Sequence, residues 1–493
     1  MDIGLILKMA ADGAADRRAV GAMGYQQLLD TAAALAARLG EMDATTVGFL
    51  GVNSPAVPVV LFASAIAGKP FVPLNYRLDN ERLQAQARRC APAVIITDDD
   101  MKARLDGIAG VQVISTSEAF AAQGGAPDES VPPDPDDVAV MLFTSGTTSE
   151  PKAALLRHRH LASYVLGTVE FMGADEDECA LVSVPPYHIA GISAILSSIF
   201  GGRRMVQLDA FEPERWVELV RREKVTHAML VPTMLRRILD VLSRTGQTLP
   251  DLRHLSYGGG KMGVPTIEMA LKMLPHVNFV NAYGLTETSS TIALLGPDDH
   301  RAAFASEDPL VRARLGSVGK PLPSVEIEIR DGDRPVPAGR RGEIHVRGDQ
   351  ISGEYAGRNK TAEGDDWFGT RDCGHMDEEG FLFIEGRLDD VIIRGGENTS
   401  PGEIEEVLLE HPLVADVGVV GVPDAEWGEA IAAGVVLHPG ASVPVEDLQA
   451  WVRTRLRSSK TPSRIEFMTA LPYNETGKLL RRELRTQFSA SET

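Results

Sequence analysis

Cysteine is scarce in this chain. Cys90, Cys179 and Cys373 are all that 493 residues contain. They are far apart and odd in number, and no C-x-x-C pair occurs. Neither a zinc knuckle nor a disulfide framework is supported. A reducing cytoplasm is the simplest compartment to expect. Long apolar runs are missing too. No stretch reaches the roughly 18 apolar residues of a membrane span, and Met1 to Lys8 lacks the layout of a signal peptide. Positive charge is in deficit, with 49 Lys and Arg against 69 Asp and Glu and a net charge of −20. That argues against a general nucleic-acid binder and against docking on an anionic membrane. An anionic substrate would need a local basic pocket, so individual lysines and arginines carry weight. The common phosphate loop G-x-x-x-x-G-K-[ST] is absent. No internal repeat and no low-complexity block is visible.

What is present is the alternation of a large α/β protein. The length implies two or more domains. Tyr25 to Leu39 is alanine-rich with helical spacing, and Val47 to Val52 reads as a buried strand. Asn53, Ser54 and Pro55 should cap a helix that runs through Ala67. Phe71 to Leu74 and Val94 to Ile96 are further strands. This β-α-β rhythm predicts a largely parallel sheet covered by helices. A proline- and acid-rich linker spans Ala126 to Asp137, and a second α/β run follows from Cys179 to about Leu295. Glu326 to Ile329 and Gly342 to Val346, separated by Asp331-Gly332-Asp333, look like a hairpin of a small β-unit. After Asp389-Asp390 the texture changes. Val391 to Ile393 and Val414 to Val422 read as strands. A helix should start at Ser400-Pro401, with acids near its start, and another spans Val443 to Leu456. This predicts a separate α+β domain of about 100 residues.

Four segments carry chemistry. In the first, the apolar run Val138 to Phe143 feeds Thr144-Ser145-Gly146-Thr147-Thr148-Ser149-Glu150-Pro151-Lys152. Backbone N–H groups and hydroxyls there can wrap a polyphosphate, and an ammonium can neutralise it. A generic surface turn needs no such concentration of donors. The second is Tyr283-Gly284-Leu285-Thr286-Glu287 after the strand-like Val277 to Val280. A ring can stack on a base, a hydroxyl can bond a phosphate and a carboxylate can hold Mg²⁺. Alone, it reads equally well as a strand end with an ordinary loop. The third places Asp372 before Arg387: an Asp suits two ribose hydroxyls, and an arginine fork suits ribose or phosphate, although a surface ion pair would look the same. The fourth is Gly477-Lys478 near the C-terminus, where a lone lysine is usually just solvated.

In this order and spacing the four together resemble the adenylate-forming superfamily: acyl-CoA synthetases, aryl-CoA ligases, peptide-synthetase adenylation domains and luciferases. The resemblance covers essentially the whole chain. It implies an α/β fold: a large N-terminal lobe (1–388) with two helix-flanked sheets and a small β-barrel-like unit, and a small mobile α+β domain (389–493). It implies ATP, Mg²⁺ and coenzyme A, and a small-molecule carboxylic acid, fatty or aromatic. Thr144, Ser145, Gly146, Thr147, Thr148 and Lys152 would cover the β- and γ-phosphates. Tyr283 would stack on adenine, with Gly258, Gly259 and Gly260 opposite. Thr286 would bond the α-phosphate, Glu287 would hold Mg²⁺, and Asp372 and Arg387 would take the ribose. Lys478 would reach the α-phosphate and the substrate carboxylate. Asp389 would be the hinge, and Gly395 and Gly396 would lie beside the pantetheine.

The acyl pocket is less legible. Tyr187, His188 and Gly191 match the family segment near the carboxylate, with His188 more often a gate or packing residue than a base. Glycines 191, 260 and 284 would leave room for a chain or ring. Lys261 is either solvated or a partner for a second substrate carboxylate. Ser149, Ala153, Arg371 and Lys261 depart from the family pattern. The leading expectation is an AMP-forming carboxylate–CoA ligase of fatty acid or related metabolism. Loading a carrier-protein thiol in trans is one alternative, and a non-catalytic nucleotide-binding homologue another. In many bacterial relatives the equivalent of Lys478 is acetylated, so an acetyltransferase is an expected partner. A homodimer is the expected assembly.

Overall fold

The structure is a computed structural model that describes residues 1–121, 133–144, 152–357, 367–394, 397–424, 426–473 and 479–490. A six-stranded sheet orders Val111–Ser115, Ala93–Thr97, Thr46–Leu50, Phe71–Pro73, Val138–Thr144 and Lys152–Arg157 side by side. Only the last pair is antiparallel. Every residue of Ala93–Thr97 is buried, as expected of a parallel strand covered by helices on both faces. Helix Ala56–Ile66 is buried almost all round.

The expected cap of that helix is not made. Pro55 occupies the N-cap position without a side-chain bond. Asn53 turns inward, and its Nδ2 donates to the carbonyls of Val184 (2.9 Å) and Leu208 (3.3 Å). Both carbonyls are buried and need donors more than a helix start next to water does. The bond ties the first sheet to the second.

That second sheet has nine strands. They run Lys320–Pro321, Ser290–Leu295, Asn278–Leu285, His254–Gly258, His227–Leu230, Cys179–Val182, Arg204–Gln207, Arg18–Val20 and Met23–Gly24. Its far edge comes from the beginning of the chain, with Val20 in register with Met205.

The small β-unit is a five-stranded antiparallel sheet. Glu326–Asp331 pairs with Gly342–Arg347 as expected, but they do not form one hairpin. The turn at Gly332, whose φ is +60°, leads into Arg334–Pro335, which takes the other side of Glu326–Asp331. From Ile392 onward the chain builds its own sheet of Glu397–Thr399, Ile392–Arg394, Gly428–Leu437, Val414–Asp424 and Arg464–Phe467. Helices Pro401–Leu409, Val445–Arg453 and Arg481–Ala490 accompany it. Its two apolar clusters draw only on residues from Ile392 to Phe488. Among the described residues, no helix is long and apolar enough to cross a membrane.

Candidate active site

The segment expected to cover phosphates leaves the sheet where Val138–Thr144 meets Lys152–Arg157. Thr144 and Lys152 are direct cross-strand partners, and the Thr144 hydroxyl donates to the Lys152 carbonyl at 3.3 Å. Ser145, Gly146, Thr147 and Thr148 lie outside the described residues. The Lys152 ammonium sits 5.5 Å over the Tyr355 ring. The Tyr355 hydroxyl donates to Glu287 Oε1. Lys152 and Glu287, 135 residues apart in sequence, are thus joined through one aromatic ring. Glu287 stands in the single turn Thr286–Thr288, closed by the Leu285 N–H on Thr288 Oγ1 at 2.9 Å. The Glu287 carbonyl accepts from the N–H groups of Ser352 (2.9 Å) and Gly353 (3.2 Å).

Tyr355 and its strap were not found from sequence. The strap is anchored by the buried Gln350, whose Nε2 donates to the carbonyls of Thr288 (3.0 Å) and Thr291 (2.8 Å). Farther along, Arg157 pairs with Glu354 at 2.7 Å, and the Leu155 N–H bonds the Glu354 carbonyl. One tyrosine between a glutamate and an alanine carries no spacing signal. Only the tertiary fold reveals it.

Tyr283, Asp372 and Arg387, the residues expected at the nucleoside, form a second chain of contacts. The Tyr283 hydroxyl donates to Asp372 Oδ2 at 2.7 Å, and Arg387 Nε donates to Asp372 Oδ1 at 3.1 Å. Asp372 and Arg387 are cross-strand partners in the antiparallel sheet, so the pairing fixes the fork against the carboxylate. Burial first, and the Asp372 charge second, hold the Tyr283 hydroxyl well above the usual phenol range. The ring stays neutral. Gly258 pairs with Ala282 so closely that a Cβ would stand 2.2 Å from the Ala282 carbonyl oxygen. Gly259 takes φ +77°, and Gly260 is exposed in the same bend.

The acyl side is more closed than its glycines suggested. A Cβ on Gly284 would fall 1.8 Å from the Ser290 carbonyl oxygen, and one on Gly191 would fall 2.9 Å from that of Pro185. These two glycines let backbones approach rather than leaving room for a ring. Behind Gly284 the chain is contorted, with Ser289 at φ +56° and Ser290 at φ +118°. The Ser290 hydroxyl donates to Ser193 Oγ at 3.1 Å. His188 is the N-cap residue of Ile189–Gly201. Its ring lies 4.7 Å from Tyr187, which meets Tyr76 at 5.6 Å. His188 Nε2 is buried with no hydrogen-bond partner among the described residues. Burial, then the Arg77 charge, lowers its pKa to about 4. A neutral imidazole that faces no acid suits packing or gating.

The two lobes meet through polar groups. Lys261 forms an ion pair with Glu406, so here it belongs to the interface. Ser400 Oγ donates to the Glu385 carbonyl at 2.8 Å, and Arg236 Nη1 to the Ala415 carbonyl at 3.2 Å. Asp389 pairs with Arg371. The Arg371 guanidinium is thus engaged by Asp389, and its side chain is largely exposed. Gly395, Gly396 and Lys478 lie outside the described residues.

The residues present fit magnesium. Among the described residues no group of three or more His, Cys, Asp or Glu could hold a metal alone. One fixed carboxylate, Glu287, is what Mg²⁺ uses when nucleotide phosphates and water supply the other oxygens.

The match to known proteins agrees with this geometry. The AMP-binding enzyme family matches residues 7–356, and the AMP-binding enzyme C-terminal domain matches residues 403–478. The chain is 34% identical to feruloyl-CoA synthase of Amycolatopsis sp over 492 residues, covering 98% of this chain and 97% of that protein. It is also 34% identical to the fatty acid–[acyl-carrier-protein] ligase ScoC of Streptomyces coeruleorubidus, over 90% of this chain and 86% of that protein. The structure superposes on o-succinylbenzoate CoA synthetase (MenE) of Bacillus subtilis, solved with its acyl-adenylate intermediate OSB-AMP. The TM-score is 0.85 at 29% identity, with 97% of each chain covered. The same synthetase has been solved with ATP and a magnesium ion. The chain belongs to the AMP-binding enzyme family. Within that class, feruloyl-CoA synthase and 2-succinylbenzoate–CoA ligase are among its relatives, both named for ligation to CoA.

Proposed function

We propose that this ligase activates an aromatic carboxylic acid and passes the acyl group to free CoA. The observation that carries the reading is the pair of contact chains, Lys152–Tyr355–Glu287 and Tyr283–Asp372–Arg387. They would give a nucleotide a phosphate-facing cation, a metal-facing carboxylate and a nucleoside cradle. End-to-end similarity to a feruloyl-CoA synthase and to an o-succinylbenzoate CoA synthetase supports an aryl acid.

In the first half-reaction a substrate carboxylate oxygen attacks the α-phosphorus of ATP. Acyl-AMP forms and pyrophosphate leaves. Lys152 and Thr144 would hold the departing phosphates, Thr286 the α-phosphate, and Glu287 the magnesium ion, which supplies Lewis-acid stabilisation of the charge on the phosphates. Tyr283, Asp372 and Arg387 would orient the nucleoside, with Gly258, Gly259 and Gly260 along its other face. Lys478 would meet the developing charge. In the second half-reaction the CoA thiolate attacks the acyl carbon, a thioester forms and AMP leaves. The chain from Asp389 onward would then pivot to bring Gly395 and Gly396 beside the pantetheine.

Lys478→Ala should slow acyl-AMP formation by about 10²–10³, as for one preorganised donor, and spare thioester formation from supplied acyl-AMP. A CoA-dependent AMP-release assay across aryl, fatty and dicarboxylic acids tests the substrate class. Turnover should be highest with an aryl acid; turnover confined to fatty acids would overturn that choice. The similarity to ScoC favours a second reading, a fatty acyl group loaded onto a carrier protein. Thioester yield on a carrier that exceeds the yield on CoA would favour it.

A further inference from the structure

Arg371 breaks two habits of its surroundings. It stands at φ +61°, in the left-handed region that an L side chain rarely adopts. It also sits where the register of the antiparallel sheet is irregular, opposite Glu343–His345. Its guanidinium grips Asp389 with two nitrogens, Nε at 3.1 Å from Oδ2 and Nη2 on Oδ1. Its own N–H is anchored on Glu343 Oε1 at 3.0 Å. The grip holds the Asp389 carboxyl below the usual carboxylate range, with the Arg371 bond the largest cause.

Asp389 lies in the turn Leu388–Asp390, where the chain leaves the larger lobe. The surfaces that meet beyond it are polar: Lys261 with Glu406, Arg341 with Glu403 at 4.0 Å, Ser400 with the Glu385 carbonyl. No apolar cluster of the described residues spans the two lobes. Few contacts therefore compete with the grip at the turn, and a small bias there can decide how often this arrangement is occupied.

We propose that Arg371 is a positioning residue that holds the C-terminal domain in the arrangement seen here by clamping the carboxylate of Asp389. The proposal rests on the reading of Asp389 as the pivot. The irregular register opposite Glu343–His345 lets one strand serve two tasks: Asp372 meets Tyr283 and Arg387 while Arg371, beside it, meets the pivot. Anything that loosens the clamp should shift the balance between the two half-reactions without touching substrate.

Arg371→Gly is the informative variant. It removes the guanidinium and relieves the left-handed strain, so loss of folding is not the expected outcome. Occupancy of this arrangement can be read on the intact enzyme by carbodiimide coupling of Lys261 to Glu406, quantified by mass spectrometry. The expected yield falls roughly threefold to fivefold in Arg371→Gly, the range for a partly exposed pair. Arg371→Lys should restore at least half of the wild-type yield. The ratio of pyrophosphate exchange to thioester formation should change in parallel, with Tm not lowered. Equal coupling in the glycine variant and the wild type would overturn the clamp. So would a fall with a lowered Tm that lysine does not rescue. Asp389→Pro separates the two ideas. Selective loss of thioester formation there keeps the pivot even if the clamp fails, whereas equal loss of both half-reactions sinks the pivot itself.

Discussion

His188 shows how burial sets chemistry one side chain at a time. Its pKa is about 4 in the folded protein and about 6.5 when unfolded. Above pH 6.5 both states are neutral and the residue makes no pH-dependent contribution. As pH falls from 6.5 to 4 the unfolded state takes the proton first, so stability is lost across that window, by about 3 kcal/mol at its lower end. His188→Gln should lose less stability than wild type over the same interval in urea melts. Parallel curves would show that the ring is not sealed from water. Tyr355 makes the other residue-scale case. Its hydroxyl donates to a carboxylate, a bond of about 1.5–3 kcal/mol. Tyr355→Phe should therefore raise the Mg²⁺ concentration needed for half-maximal pyrophosphate exchange by about tenfold. An unchanged Mg²⁺ requirement would mean that the hydroxyl does not orient Glu287.

At the scale of elements, the strap from Gln350 to Tyr355 sets the site more than any one strand does. Gln350 is fully buried and satisfies two carbonyls flanking the contorted Ser289–Ser290 turn. Gln350→Leu leaves both carbonyls unpaired and should cost about 2–4 kcal/mol in denaturant titration, since each orphaned buried group costs about 1–3 kcal/mol. Gly284→Ala should cost about 3 kcal/mol or more, because its Cβ meets backbone that cannot swing aside. Wild-type stability in that variant would show that the Ser289–Ser290 turn can yield.

These two elements also mark where sequence reading runs out. The strand Val138–Thr144, the Tyr283–Glu287 segment and the Asp372–Arg387 pair were legible because each is local, and periodicity or chemistry crowds into a few residues. The strap was not, since its role comes from partners 60 to 200 residues away. Gly284 and Gly191 were noticed for the right reason, the absence of a side chain, but the space is taken by neighbouring backbone. Asn53 looked like a cap because its neighbours suit a helix start. The carbonyls that claim it belong to another sheet and leave no local mark.

The whole molecule carries a charge of −20 yet gathers Lys152 and Arg387 within electrostatic reach of Asp389. In an otherwise acidic molecule these cations would give an anionic nucleotide a locally favourable potential. Separate apolar clusters in the two lobes lead to an expectation for calorimetry: two resolvable transitions, the one from the part beyond Ile392 being the smaller. A single transition whose van't Hoff and calorimetric enthalpies agree would mean that the polar contacts couple the lobes after all. The register of Val20 with Met205 bears on how the protein is made. The strand Arg18–Val20 can pair at once with Met23–Gly24, but its parallel neighbour Arg204–Gln207 arrives only after some 185 further residues have been synthesised. At ribosomal speed that is a delay of roughly 10 to 40 s. During it the helix Ile3–Ala14 can pack against Tyr25–Glu41 and Ala56–Ile66, but the part of its apolar face that meets Ile189–Gly201 must wait for its cover.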